Sequence, residues 1–217
     1  GGNEVNRRLQ IAGVYESYTR QLDEAIAAYE DVLNLDPAND TALDKLERIY
    51  GEREDYDALL DVYERAYNAA RSDEDRLRMA KNAAILHDGY RNDMRSAADA
   101  WSRVLQLDPV DSEAFDSLTR IYTAQKEWDD LIRLYEHRYE VADNSDGRAD
   151  ALLAMASVYR HQRDDIDNAT AMYERVLLER RSDQTALDAL DELLSSEGRY
   201  EQVIENIDKK LDRKSTR

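Results

Sequence analysis

Apolar residues along this chain recur at spacings of three and four, which is the period of an amphipathic helix. Between residues 22 and 33 they lie on a single helix face, and residues 43–50 and 56–66 repeat the pattern. The members of these three faces are Leu22, Ala25, Ile26, Tyr29, Val32 and Leu33; Leu43, Leu46, Ile49 and Tyr50; and Tyr56, Leu59, Leu60, Tyr63 and Ala66. The pattern predicts consecutive helices and no strands.

Helix ends are indicated by proline and by short polar residues. Asp36-Pro37 ends one predicted helix, because the residue before proline is pushed out of the helical region. Asp108-Pro109 repeats that stop later in the chain. Asp40, and Asp111 with Ser112 in the later segment, can then cap the following helix through their side-chain oxygens. Each pair of helices is therefore expected to form a hairpin.

The hairpins themselves repeat with a 72-residue period. Identical residues superpose three times: Ala25, Ala97 and Ala169; Val32, Val104 and Val176; Ala42, Ala114 and Ala186; Leu46, Leu118 and Leu190. A fixed period of this kind is typical of a stacked array in which each repeat covers the apolar face of its neighbour. We predict a single domain over residues 1–217, with units at about 5–76, 77–148 and 149–217 and about twelve helices.

A second, 34-residue period lies inside the first, since it aligns Leu22 with Tyr56 and Tyr29 with Tyr63. With these residues the chain resembles the tetratricopeptide repeat (TPR) family. The match is best in the second hairpin, through the large residues Leu43, Leu46, Tyr50, Tyr56 and Tyr63. In the first and third hairpins small residues, an aromatic residue and the terminal proline match: Ala12, Ala25, Tyr29 and Pro37 in the first, and Ala84, Ala97, Trp101 and Pro109 in the third. The resemblance implies an all-α, right-handed superhelical solenoid of about six helix–turn–helix hairpins.

The chain departs from the family pattern at regular positions. Glu47, Thr119 and Asp191 stand where the family prefers a small residue. Odd-numbered hairpins carry one extra residue in the turn before the second helix. These departures recur with the longer period, and they do not change the prediction of a helical array.

Most of the fourteen tyrosines lie at repeat-register positions, where an aromatic residue is usually part of the core. The same register predicts that Trp101 and Trp128 are buried, because each replaces a tyrosine of the other units. Tyr18 and Tyr90, in the turns of odd hairpins, are expected to be exposed.

Composition excludes several classes of function. There are 48 acidic and 30 basic residues, for a net charge of −18, which disfavours contact with nucleic-acid phosphates. No apolar run approaches the roughly 18 residues that span a membrane, so we expect no membrane insertion. Cysteine is absent, and the three histidines lack metal-motif spacing, which argues against a metal site. No catalytic or cofactor-binding motif is found, and we predict neither an enzyme nor a cofactor.

The family resemblance implies that a partner binds to a concave surface formed by the first helix of each hairpin. Asp44, Asp116 and Asp188 occupy equivalent positions of the three units and would form a ladder along that surface. The eight residues that we predict to contact a partner are Asp44, Arg48, Arg78, Lys81, Asp116, Arg120, Arg160 and Asp188. Alternatively, Asp44–Arg48 and Asp116–Arg120 are only i, i+4 ion pairs on solvated surface, worth a few tenths of a kcal/mol. The sequence favours neither interpretation.

The acidic composition is compatible with a basic partner, with a saline habitat or with simple solubility. The leading hypothesis is a non-catalytic scaffold for a peptide or protein partner, within a longer bacterial protein of the cytoplasm or periplasm. The alternative is a structural repeat protein, monomeric in its fold, that self-associates end to end. An apolar stripe in the last hairpin supports that alternative: Val203, Ile204, Ile207 and Leu211.

Overall fold

The computed structural model describes residues 2–91 and 93–215, and their side chains except those of residues 19, 91 and 209–215. The described residues form α-helices and contain no strand. The helices are α1 (Gly2–Val14), α2 (Leu22–Leu35), α3 (Asp40–Glu52), α4 (Tyr56–Ala69), α5 (Asp73–Leu86), α6 (Met94–Leu107), α7 (Ser112–Gln125), α8 (Trp128–Val141), α9 (Ser145–Gln162), α10 (Ile166–Glu179), α11 (Gln184–Ser196) and α12 (Tyr200–Ser215). The prediction of an all-helical repeat fold is confirmed.

The 72-residue period is visible in the helix boundaries. Helices α2, α6 and α10 begin at Leu22, Met94 and Ile166, and α4, α8 and α12 begin at Tyr56, Trp128 and Tyr200. Odd-numbered helices are thus the first helix of a hairpin and even-numbered helices are the second. Contacts between Cα atoms divide the chain into two compact units, residues 1–117 and 118–217, with the boundary inside α7.

The core of both units is built around alanines at equivalent positions. Nine alanines of the repeat register have no exposed surface: Ala12, Ala84 and Ala156; Ala25, Ala97 and Ala169; Ala42, Ala114 and Ala186. Larger side chains fill the space between them, among them Val32, Leu46 and Trp101, which are at most 2% exposed. Small residues at these points let helix backbones approach closely, and the packed interior tolerates little added volume.

Most helices begin with a side-chain cap, as the sequence suggested. The Asp111 carboxylate accepts a hydrogen bond from the backbone N–H of Ala114 at 2.9 Å. The expectation for Asp40 is wrong, because α3 begins one residue earlier: Asn39 accepts from the N–H of Ala42 at 3.1 Å. Capping satisfies backbone donors that have no partner within the helix.

The turns inside the hairpins use a left-handed residue to end the first helix. Arg20 and Asp164, at equivalent positions of the first and fifth hairpins, have φ values of 53° and 51°. Glu54, Lys126 and Gly198, at equivalent positions of the even-numbered hairpins, have φ values of 55°, 58° and 72°. A positive φ costs a non-glycine residue free energy, yet a single such residue can close a helix end.

In the first and third hairpins the extra residue of the turn is accommodated by helix geometry. Residues Tyr15–Thr19 and His87–Arg91 form π-helical turns at the ends of α1 and α5. A π-turn widens the helix by one residue, so the insertion is absorbed without breaking the helix. The same turns place Tyr18 and Tyr90 at the surface, with exposures of 84% and 62%, as predicted.

A polar contact joins the two helices within each hairpin. In the first three hairpins an aromatic residue of the second helix donates to a carboxylate of the first helix or of its π-helical turn: Tyr29 to Glu16 at 2.6 Å, Tyr63 to Glu47 at 2.7 Å, and Trp101 to Asp88 at 3.3 Å. In the later hairpins Tyr135 lies beside Thr119, Arg160 interacts with Tyr173, and Asn206 donates to Asp191. We call this contact the hairpin latch. It explains why Glu47 and Asp191 are not small residues.

Glu16 extends the first latch to the next hairpin. Its carboxylate accepts from Tyr29 on α2 and pairs with Lys45 at 3.1 Å and with Arg48, both on α3. Burial by itself raises the pKa of Glu16, but the Tyr29 hydroxyl and the two cations together hold it below its ordinary value of 4.5. A half-buried charge is stable here because it is hydrogen-bonded and paired.

One expectation about the tryptophans is confirmed and the other is wrong. Trp101 is 2% exposed, in the middle of α6. Trp128 is only half-buried, because it is the first residue of α8 and helix side chains lean toward the N-terminus, past the end of their own helix. Tyr56 and Tyr200 begin α4 and α12 in the same way, and neither is buried.

Replacing Trp101 with alanine is expected to lower the free energy of unfolding by about 3–5 kcal/mol, since a fully buried indole is removed. Trp128→Ala is the matched control and should cost clearly less, because that side chain is already half in water. Chemical denaturation of the two variants measures the difference. Equal costs would contradict the packing described for Trp101.

Glu16→Gln is expected to lower stability at neutral pH, because it leaves Lys45 without its acid and Arg48 with only Glu52. A carboxyl whose pKa is lowered by folding stabilises the protein above its unfolded pKa of about 4.3, and this contribution is lost as the pH falls further. The difference in unfolding free energy between wild type and Glu16→Gln should therefore shrink between pH 7 and pH 3. Glu24→Gln, at an exposed position, is the control. A difference that does not change with pH would contradict the charged network.

Candidate functional site

Four of the cations that we predicted to contact a partner already pair with acids of a neighbouring hairpin. Arg48 pairs with Glu16 and, on its own helix, with Glu52 at 2.7 Å. The other three form equivalent pairs: Arg78 with Asp40, Lys81 with Asp111, and Arg160 with Glu192 at 2.8 Å. These contacts give the cations a structural role. Their role in binding stays a prediction.

The predicted aspartates lie at the surface. Asp44, Asp116 and Asp188 are all exposed, on the first helices α3, α7 and α11. Asp188 accepts a hydrogen bond from Gln184 at 2.8 Å. Arg120 is also exposed.

The alternative interpretation of the aspartates is not supported at Asp44. In the described part of the chain Arg48 pairs with Glu16 and Glu52 rather than with Asp44, so the expected i, i+4 pair is not formed. The charge of Asp44 adds to burial and the Glu47 contact in raising the pKa of Tyr63, on the second helix of the same hairpin. The structure therefore places the first predicted aspartate beside the latch of the second hairpin.

A pocket of about 380 Å³ lies between the second and third hairpins, within the first compact unit. Its walls come from α3, α4, α5 and the π-helical turn after α5. The lining residues are Glu47, Gly51, Tyr56, Leu59, Tyr63, Asn82, Ile85, Leu86 and Tyr90. The volume lies within the range of small-ligand and side-chain pockets. We call it the tyrosine pocket.

Aromatic rings form one side of the tyrosine pocket. The Tyr56 and Tyr90 rings lie 4.9 Å apart between centroids, inclined by 30°. Tyr90 is 62% exposed and Ile85 is 44% exposed, so the pocket has an open apolar rim. Gly51 adds further space, because a Cβ at that position would meet no atom within 4 Å.

A carboxylate forms the opposite, polar side. The Oε1 atom of Glu47 accepts from the Tyr63 hydroxyl at 2.7 Å and from the Asn82 amide at 3.2 Å. Burial and the neighbouring Glu47 raise the pKa of Tyr63 far above its ordinary range. The hydroxyl therefore stays protonated and remains a donor to Glu47.

The sequence did not reveal this pocket as a site. Register places Ile85 and Tyr90 at the surface, but it assigns the rings of Tyr56 and Tyr63 to the core. The sequence does carry a signal at Asn82. In the third hairpin Asn82 contacts Glu47, whereas in the second hairpin Lys45 and Arg48 contact Glu16. Only the three-dimensional contacts show that a neutral residue has replaced cations at this interface.

Two of the residues that we predicted for self-association are open to solvent. Ile204 is 60% exposed and Ile207 is 42% exposed on α12, whereas Val203 is half-buried. The side chain of Leu211 lies outside the described residues. A second pocket of about 430 Å³ lies nearby between α10, α11 and α12, with Leu177, Leu178, Leu190 and Leu194 in its walls.

No other constellation in the described residues indicates chemistry. Residues 2–91 and 93–215 contain no cluster of three or more acidic or histidine side chains arranged to hold a metal ion. No helix in this part of the chain has the length and apolar character needed to cross a membrane.

Comparison with known structures gives similar helical-repeat folds at low sequence identity. YrrB, described as a TPR protein with an unusual peptide-binding site, is 20% identical over 84% of this chain and 89% of its own, with a TM-score of 0.41. A tetratricopeptide repeat protein from Parabacteroides merdae is 16% identical over 95% of this chain and 78% of its own, with a TM-score of 0.43. The Naa15/Naa10 complex with HypK-THB is matched at 15% identity over 93% of this chain and 30% of that chain, with a TM-score of 0.50.

The sequence comparisons locate the repeat itself. No curated protein matches the chain. The family model of the tetratricopeptide repeat matches residues 42–77 and 114–149, two segments at equivalent positions of consecutive units. Each segment contains the two helices of an even-numbered hairpin and the start of the next, which is where the large packing residues had suggested the family most strongly. The comparison thus identifies tetratricopeptide repeats at residues 42–77 and 114–149 of an all-helical repeat fold.

Proposed function

We propose that the protein is a non-catalytic scaffold that binds a peptide or protein partner through the first helices of its hairpins. Tetratricopeptide repeats are in general interaction modules without catalytic activity, and the fold suggests such a role here. The observation that carries the proposal is the tyrosine pocket, which opens between the first helices α3 and α5 and combines exposed aromatic and apolar surface with a carboxylate. Exposed aromatic and apolar groups around a polar anchor are typical of recognition sites.

A basic partner is the chemistry that this surface favours. The net charge of −18 attracts cations over long range, and Asp44, Asp116 and Asp188 add exposed negative charge on first helices. Most cations that were mapped to the same surface are engaged by neighbouring acids, so they offer little attraction to an acidic ligand. Complementary charge would steer the partner and favour it over acidic competitors.

End-to-end self-association is a second candidate function. Ile204 and Ile207 expose 60% and 42% of their surface on α12, and apolar side chains exposed together favour contact with another protein surface. In this alternative a second copy of the chain would cover them. It is compatible with partner binding elsewhere on the protein.

The partner-binding proposal is tested by selecting ligands from a displayed library of random peptides and measuring their affinity by fluorescence anisotropy. We expect selected peptides to be enriched in arginine and lysine. Their affinity should fall as salt rises from about 0.1 M to about 1 M, because the screening length falls from about 10 Å to about 3 Å. Failure to select any peptide, or selection of acidic peptides, would contradict the proposal.

The aspartates are tested with a triple variant, Asp44→Lys, Asp116→Lys and Asp188→Lys, which should weaken the selected peptides at least tenfold without unfolding the protein. The matched control is Asp99→Lys, Glu140→Lys and Glu174→Lys. This control makes the same change in net charge, at exposed residues on second helices. None of the three residues forms an ion pair within the described part of the chain. Equal loss in both variants would attribute the attraction to net charge alone. Unchanged binding in the first variant would show that the aspartates are only solvated surface.

Self-association is tested by sedimentation at several protein concentrations. The wild type should form dimers or larger species at high concentration, and an Ile204→Glu, Ile207→Glu variant should remain monomeric. Tyr18→Glu with Val110→Glu, at positions 84% and 67% exposed, is the control with the same added charge. A wild type that stays monomeric at every concentration would exclude this function.

A further inference from the structure

The glutamates of the first two hairpin latches differ in how their charge is neutralised. Glu16 in the first hairpin is paired with Lys45 and Arg48 of the second. Glu47 in the second hairpin meets Asn82 of the third, an amide without charge. The two latches are otherwise alike, since a tyrosine of the second helix donates to each glutamate. The third hairpin therefore leaves Glu47 without the cation that its counterpart receives.

Glu47 lines the tyrosine pocket and has an oxygen that no other described side chain engages. Both of its hydrogen bonds, from Tyr63 and Asn82, go to Oε1. Among the described residues no side chain donates to Oε2 and none forms an ion pair with Glu47. A carboxylate can accept bonds at both oxygens, so Oε2 is available to an external donor. Because Glu47 is half-buried, a cation placed there would interact more strongly than at a fully hydrated surface.

The aromatic side of the pocket suits a cation as well. Tyr56 and Tyr90 both line the pocket, and the negative quadrupole of an aromatic ring face attracts a guanidinium or ammonium group. The chain uses this interaction internally at two equivalent positions of the repeat. The guanidinium carbon of Arg103 lies 5.0 Å from the Tyr67 ring centroid, and that of Arg175 lies 4.9 Å from the Tyr139 centroid. The tyrosine pocket offers the same partner without an arginine of its own.

We propose that the tyrosine pocket binds the cationic side chain of an arginine or lysine, with Glu47 Oε2 as the ionic anchor and Tyr56 and Tyr90 as the aromatic wall. This inference rests on the proposed function, because the side chain belongs to the basic partner. Asp44, one turn before Glu47 on α3, adds negative potential at the same place. Ile85 at the rim would contact the aliphatic stem of the bound side chain.

The first experiment uses single amino acids, so that it does not depend on knowing the partner. Isotope-labelled protein is titrated with N-acetyl-arginine amide, N-acetyl-lysine amide and N-acetyl-citrulline amide and followed by NMR. Citrulline is a neutral analogue of arginine with almost the same shape. Arginine or lysine amide should shift the signals of Gly51, Asn82 and Tyr90 in a saturable way, and citrulline amide should bind at least tenfold more weakly. Equal binding of citrulline, or shifts elsewhere only, would overturn the proposal.

Two variants test the anchor and the space separately. Glu47→Gln keeps an acceptor for Tyr63 but removes the charge, and it should weaken arginine amide at least tenfold. Gly51→Leu adds a side chain where nothing lies within 4 Å, so it should block the pocket without removing a contact. Gly13→Leu is the matched control, because Gly13 is also helical with open space at its Cβ and lies outside the pocket. Thermal melting of each variant verifies that the fold is retained.

The library-selected basic peptides separate this inference from the proposed function. If they bind the wild type and lose at least tenfold in affinity with Glu47→Gln and Gly51→Leu but not with Gly13→Leu, the pocket is the site of their cation. If they bind all three variants equally, the pocket proposal fails while the scaffold function stands. If no peptide binds the wild type and arginine amide does not either, both proposals fail.

Discussion

The close approach of helices at fully buried alanines is the constraint on which the rest of the structure depends. Nine alanines of the repeat register have no exposed surface, and a methyl side chain adds little bulk between packed helices. Because the two backbones lie close together, a side chain of the second helix can reach the first helix and form the hairpin latch. A larger residue at any of these positions would force the helices apart, because the packed interior cannot absorb it.

The hairpin latch connects this packing to the polar groups that neighbouring hairpins contact. The first two latches each hold a glutamate that side chains of the next hairpin contact. At Glu16 the next hairpin supplies two cations, and the contact only joins neighbours. At Glu47 it supplies an amide, and the same position becomes the polar wall of a pocket. The loss of both cations from one repeat of this interface thus separates a structural contact from a candidate binding site, and the proposed function depends on that difference.

The ion pairs change how the predicted partner surface is interpreted. Register places Arg48, Arg78, Lys81 and Arg160 on first helices, and their helices are as predicted. Each nevertheless reaches an acid of the adjacent hairpin, with Glu16, Asp40, Asp111 and Glu192 as the partners. Glu16 and Asp111 are largely buried, whereas Asp40 and Glu192 are exposed and their pairs contribute little stability individually. All four pairs occupy the cations. The surface that remains for a ligand is more acidic than the sequence implied.

Local spacing and residue type were sufficient to predict the helices, their 72-residue period, the cap at Asp111 and the exposure of Tyr18 and Tyr90. The positions of the left-handed residues came only from the folded chain, since Arg20, Glu54 and Lys126 carry no local signal for positive φ. The same is true of the π-helical turns, the partners of the latches and the tyrosine pocket. Those features depend on which side chains of different helices come within hydrogen-bonding distance. The repeat register predicts the helix face on which a residue lies, but it does not predict which side chain of the neighbouring helix contacts that residue.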